Sequence, residues 1–329
     1  MLQARREFLQ ACLVGLAAAA QSAPASGADY PARPVTIVVP FPAGGPGDTV
    51  ARTLTEQLRE SLNQPVIIEN VSGAAGSIGT GKVARSNPDG YTLVLGYWGT
   101  HVVNAAIYSL QYDVMNDFEP IALLTSQPLI IVGKKNMPAD DLKSLIAWLK
   151  ANPAKASQGT AGLGSIGHVA GLLFQAATDT RFQFVPYRGT APALQDLVAG
   201  QIDLGITTPV TAMPQVRAGH IKAYAITGES RLSVAPEVPT VSEAGLPGLH
   251  VSFWQALWAP KGTPSDVIAR LNRAVRDALA HPATRQKLID HGFDIPSPDE
   301  QTPAALRAFQ QAEIDRWLPI VKAANVKGD

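Results

Sequence analysis

Short β-branched runs alternate with amphipathic helical stretches along most of the chain, and no low-complexity linker interrupts them. Val35-Thr36-Ile37-Val38-Val39 reads as a buried strand. The turn-rich run Pro40 to Gly47 follows, and Asp48 then opens a helix whose Val50, Leu54, Leu58 and Leu62 fall on one face. Further strands are expected at 65–69, 91–95, 129–133, 184–187, 202–206, 221–227 and 253–259. Further helices are expected at 141–151, 168–177, 191–199 and 303–324, with another starting at Thr263-Pro264, a cap followed by a first-turn proline. Alternation of this kind builds parallel α/β sheets. A length of 329 residues suggests about two domains. Two domains without a linker imply a chain that crosses between them more than once.

The first 28 residues read as an export signal. Arg5 and Arg6 precede the apolar run Leu13 to Ala20, and Ser26-Gly27-Ala28 is a small-x-small cleavage site. Arg5-Arg6-Glu7-Phe8-Leu9 is similar to a twin-arginine signal without its flanking residues, so both the Sec and the Tat route fit. The expected location is the periplasm. Cys12 is the sole cysteine, and cleavage after Ala28 would leave a chain without thiol or disulfide chemistry. Formal net charge is zero, which excludes nucleic-acid binding through a broad basic face. No apolar stretch reaches 18 residues, so no stable membrane insertion is expected.

Catalytic motifs fail one after another. Gly162-Leu163-Gly164-Ser165-Ile166-Gly167 matches G-x-G-x-x-G, but 154–158 shows no apolar strand and no acidic ribose ligand follows Val185. Gly76 to Val83 approaches a P-loop, with Val83 where a metal-binding hydroxyl is needed. Ser165 sits in no G-x-S-x-G, and the six histidines show no metal-ligand spacing. Asp140-Asp141 reads as the cap of the following helix rather than a carboxylate pair. No catalytic residue, metal or cofactor is expected. What remains is a set of Gly-rich loops at strand ends, at 41–49, 162–168 and 187–190. Ligands of open α/β sheets bind beyond the strands' carboxyl ends. Helix starts there present free N–H groups and partial positive charge to an anion.

Several stretches have a familiar order: Tyr30-Pro31-Ala32-Arg33-Pro34, Val38 to Gly45 with Asp48 and Ala51-Arg52, Asn70 to Gly76, and Asn87 to Leu93. Gly99-Thr100-His101, Asp117 to Ile121, Ser165 to Ala170, Val185 to Ala193, Gly200 to Asp203, Ala244 to Gly248 and Ala259 to Pro264 continue it. Over about residues 30 to 325 the chain resembles the Bug (TctC-like) family of periplasmic solute receptors of tripartite tricarboxylate transporters. The resemblance implies a two-domain periplasmic-binding-protein fold (Venus flytrap, type II), with a parallel-rich sheet in each domain and a central cleft. Residues 29–128 plus 252–329 would form domain 1, and 129–251 domain 2. It implies a monomer that closes on a small-molecule carboxylate and serves the membrane permease subunits of such a transporter.

Carried onto this sequence, the expected ligand shell is Phe41, Pro42, Ala43, Gly44 and Gly45, with Asp48 organising the loop rather than touching the anion. Thr160, Gly164, Ser165 and His168 come from the mid-chain loop, Tyr187 and Arg188 from the next, and His101 and Thr207 complete the shell. Phe41 either clamps the ligand or staples its loop, and Arg188 is either a counter-charge or a solvated side chain. Two departures stand out. Ile166-Gly167 precedes His168 where many relatives carry a proline, and Tyr97-Trp98 stands before Gly99 in place of smaller residues. Facing the cleft, that aromatic pair would suit a flat ligand, an aromatic dicarboxylate such as terephthalate; otherwise it packs between the domains. An aliphatic di- or tricarboxylate, or an amino acid feeding a sensor, is the alternative, and a periplasmic α/β hydrolase the other class.

Overall fold

A computed structural model describes residues 30–323; the expected export signal lies outside them. Val35–Val39 (β1) is buried at every position but Thr36, as a strand covered on both faces must be. It pairs in parallel with Val66–Asn70 (β2) and Thr92–Tyr97 (β3). Ser252–Pro260 (β10) and Phe118–Pro128 (β4) complete this sheet in antiparallel fashion, in the order β2-β1-β3-β10-β4. The second sheet runs Gln183–Pro186 (β7), Ser157–Thr160 (β6), Leu204–Thr207 (β8), Ile130–Lys134 (β5) and Ile221–Ile226 (β9). Here β6 lies parallel to β7 and β8, whereas β5 opposes β8 and β9.

The sheets are therefore mixed rather than wholly parallel. The cause is the crossing between them: parallel neighbours need a crossover connection. β5 and β10 arrive directly from the other lobe and run against the strands they join. Leu129 alone separates β4 from β5. Thr227 ties the two crossings together. Its N–H donates to Leu129 O at 2.8 Å, its Oγ1 accepts from Leu129 N at 2.8 Å, and its hydroxyl donates to Val251 O at 2.6 Å.

The helix after β1 is Pro46–Leu62 (α1), two residues longer at its start than expected, and Ser77–Ala84 (α2) and Asn104–Ile107 (α3) follow it in the chain. Its four-residue spacing places Val50, Leu54, Leu58 and Leu62 in the core, each at most 3% exposed. They pack with Val267, Leu271 and Val275 of Ser265–Ala280 (α8) and with Ile37 and Leu95 of the sheet. Each such side chain contributes roughly 1.5–3 kcal/mol by leaving water. Leu142–Ala151 (α4) opens as expected, with Asp141 accepting from Ser144 N in a capping box. Two expectations need correction. Ser157–Thr160 is a strand although its sequence, Ser-Gln-Gly-Thr, carries no apolar signal. It is buried by its place in the sheet, and Gln158 Nε2 donates to Gly167 O at 2.8 Å. The helix expected to follow Thr263 as cap begins after Pro264 instead.

Candidate functional site

The two sheets face one another across a cavity that opens to solvent. Phe41, Pro42, Gly45, Tyr97, Phe253 and Gln255 line it from the first sheet's side, and Thr160, Ser165, Thr190, Thr207 and Thr208 from the second. Four helices open onto it: α1, Ile166–Thr178 (α5), Thr190–Val198 (α6) and Pro209–Arg217 (α7). Their cap positions are Gly45, Ser165, Gly189 and Thr208, and none makes a side-chain cap bond. Leu142–Ala151 (α4) carries a capping box and Ser265–Ala280 (α8) is uncapped as well, so what marks these four helices is that their starts converge on one cavity. First-turn N–H groups have no partner inside a helix, and they carry the positive end of its dipole.

Three side-chain atoms on the cavity wall are also buried without a partner: Ser165 Oγ, Thr207 Oγ1 and Gln255 Oε1. Leaving such groups unmade is costly, so the wall calls for a polar ligand. Yet no Asp, Glu, Lys, Arg or His side chain lines it. Any charge bound here is met by dipoles and neutral hydrogen bonds.

Asp48 is adjacent but turned away, 5% exposed. Its Oδ2 accepts from Gly44 N at 3.0 Å and Arg52 Nε at 2.9 Å, and its Oδ1 from Asn70 Nδ2 at 3.1 Å. Asn70 Nδ2 also donates to Phe41 O at 2.9 Å, so one carboxylate fixes the whole turn. Burial alone would raise its pKa, but the hydrogen bonds from Arg52, Gly44 and Asn70 outweigh it and hold the carboxyl below its usual range. Asp48→Ala should cost about 1–3 kcal/mol of stability by stranding these donors and weaken ligand binding as the turn loosens. Asp48→Asn, which keeps an acceptor, should retain most of both; paired melting and calorimetry measurements check this.

His168 plays a similar part on the other wall. Its Nδ1 accepts from Gly164 N at 3.0 Å, its ring edge meets Phe184 at 4.5 Å, and burial pushes its pKa down to about 4. It is a neutral brace of the loop. Gly164, with its N–H so used, and Ala43 and Gly44 also stand outside the wall. Tyr187 and Arg188 lie off the cavity wall, in a separate surface pocket with Phe41 and Tyr108, and the Tyr187 hydroxyl donates to Asp196 at 2.6 Å.

The aromatic pair is divided. Tyr97 faces the cavity between Phe41 and Phe253, with ring centroids at 5.1 and 5.4 Å. Trp98 does not: it is fully buried, edge-on to Trp317 at 5.2 Å. Trp98 has already left the strand, with helical backbone at φ −41° and ψ −45°, and this turn carries its side chain away from the cleft that Tyr97 faces. His101 also lies off the cavity, stacked on Trp258 at 3.7 Å, its Nδ1 2.9 Å from Thr100 Oγ1 and its pKa lowered by burial to about 3. Sequence reasoning missed Phe253, Gln255 and Thr208, and placed Thr190 in a candidate loop without assigning it to the ligand shell. For Gln255 a signal existed, a lone polar residue within the apolar strand Phe253 to Pro260.

Two lobes, a double crossing and a cavity of uncapped helix starts define a solute-binding protein of the periplasmic-receptor fold. The model of the tripartite tricarboxylate transporter family receptor matches residues 50–326, and the chain belongs to that family. It is accordingly a receptor and not an enzyme. BugT of Bordetella pertussis is 36% identical over 314 residues, 95% of either chain. The structure of MatC from Rhodopseudomonas palustris with bound malate is 41% identical, with a TM-score of 0.85 over 89% of this chain and 100% of that one. R. palustris Rpa4515 with adipate is 33% identical, with a TM-score of 0.87 over 91% and 100%. Among the described residues no helix is long and apolar enough to cross a membrane.

Proposed function

We propose that the chain is a periplasmic receptor, exported by its first 28 residues, that closes as a monomer on a small carboxylate for the permease of a tripartite tricarboxylate transporter. The observation that carries this reading is the convergence of four uncapped helix starts and three unpartnered polar atoms on a cavity without charged side chains. Such a wall suits an anion bound through backbone N–H groups, with ordered water assisting. The malate and adipate held by the two R. palustris neighbours support the class. We assign ligand contact to Phe41, Pro42, Gly45, Tyr97, Thr160, Ser165 and Thr207. Gly44, Asp48, Gly164 and His168 act by holding the two loops. The domain division is 29–128 plus 252–329 against 129–251, in keeping with the strands each sheet draws on. Closure is supported by the Tyr108 hydroxyl, which donates to Leu163 O across the cleft. The ligand selects that closed state.

Within the class, the ring wall of Phe41, Tyr97 and Phe253 favours an aromatic acid, terephthalate among them. A thermal-shift panel of malate, succinate, adipate, citrate, benzoate and terephthalate tests both levels. A ligand at 100 times its dissociation constant adds about 2.7 kcal/mol, an evident rise in Tm. Shifts with aliphatic acids alone would remove the aromatic reading and keep the receptor; no shift with any acid would remove the carboxylate.

A further inference from the structure

We propose that the second lobe holds a subsite of its own, an apolar pouch beneath α6 that takes an uncharged alkyl or aryl substituent of the bound acid. The proposal rests on the carboxylate reading above and extends it to the ligand's other end. The cavity does not stop at the helix starts. It continues between α6 and the second sheet, where its walls are Ala193, Leu194, Leu197, Ile202 and Leu204. None of these side chains can hydrogen-bond or balance a charge, so the carboxylates of a diacid stay with the helix starts and only an uncharged group enters the pouch.

The pouch owes its shape to two glycines. Gly159 of β6 and Gly205 of β8 are register partners on neighbouring strands. A Cβ on Gly159 would come within 2.4 Å of Ile202 Cδ1, and one on Gly205 within 3.2 Å of Val132 Cγ2 and 3.5 Å of Leu197 Cδ2. Glycine at both positions lets Ile202 and α6 settle against the bare sheet, which gives the pouch a smooth apolar floor. An apolar lining beside an anion site rewards an anion that carries an apolar group to lie against it, at about 0.8 kcal/mol per buried methylene. The polar and apolar halves of the cavity then read the two halves of one amphiphilic ligand.

Calorimetry on the mature protein with a fixed head group tests this: succinate, methylsuccinate, propylsuccinate and phenylsuccinate, beside propionate through octanoate. Affinity should rise about fourfold per added methylene until the pouch is full, then fall. Ala193→Leu, which places a larger side chain in the pouch, should flatten the rise while leaving the shortest acids unchanged. Leu194→Ala, which enlarges it, should extend the rise to longer chains, and melting curves verify that both variants fold. Short acids binding with no gain along either series would overturn the pouch and leave the carboxylate reading standing. A gain untouched by both variants would overturn its location. Absence of binding by every acid would remove the carboxylate reading and the pouch with it.

Discussion

Ser165→Asp should weaken carboxylate binding at least a hundredfold and leave the unliganded protein within about 1 kcal/mol of its parent's stability. The two halves of this result have one cause. Ser165 occupies the cap position of α5 with extended backbone, φ −62° and ψ 156°, and its hydroxyl makes no cap bond. Aspartate is among the best residues there, because its oxygens accept from the orphaned N–H groups and its charge suits the helix dipole. Those favourable terms offset the cost of placing a charge at a site only 2% exposed. The new carboxylate then occupies the donors a ligand needs and repels it as a like charge. Losing hydrogen bonds to a charged group costs about 1.5–3 kcal/mol before repulsion is counted. Ser165→Ala, which deletes one neutral contact, should lose only about tenfold. Calorimetry and melting on the three proteins decide the matter: an aspartate variant that still binds carboxylates would place the anion elsewhere.

Acid should unfold this protein through its histidines before its carboxylates titrate. In an unfolded chain imidazole titrates near pH 6.5. Burial lowers His101 to about 3 and His168 to about 4 in the folded state. Below pH 6.5 the unfolded state therefore binds more protons, and stability falls as pH falls. Both residues act between pH 6.5 and 4, so the slope approaches about 2.7 kcal/mol per pH unit. Below pH 4 His168 protonates in place and loses its bond from Gly164, while His101 continues to act to about pH 3. Below about pH 5 carboxylates join in: Asp48, Asp203, Glu243 and Glu300, held below their usual range, add to the loss, while Asp294, raised by burial, opposes it. The window from about 5 to 6.5 therefore belongs mainly to the two imidazoles. Urea melts across it should show several kcal/mol lost in the parent. His101→Phe, which keeps a flat ring against Trp258, should flatten the profile toward a single-histidine slope. A parent profile level down to about pH 5 would show that neither imidazole is held neutral.

Where the sequence carried a periodic or capping signal, the fold could be read from it. The spacing of Val50, Leu54, Leu58 and Leu62 set the buried face of α1 because a helix repeats every 3.6 residues. Asp141 could be read as a cap because the residues on either side of it marked the helix start. β6 was invisible, since four residues of Ser, Gln, Gly and Thr owe their burial to their neighbours. The orientation of Trp98 and His101 was equally hidden, because it depends on where β3 ends and on the contacts of Trp258 and Trp317. The glycine loops showed that helix starts would gather at strand ends. Only the folded chain shows that their cap positions are left open, and that Gln255 arrives among them from a strand about 90 residues further on than Ser165.

Thr227 fastens Leu129 and Val251, the two points where the chain passes between lobes. Two pivots fixed to each other behave as one axle. Lobes closing on such an axle would swing through a single angle instead of wandering through many relative poses. Little orientational freedom would then be lost on closure, and less of the ligand's interaction energy would go into ordering the protein.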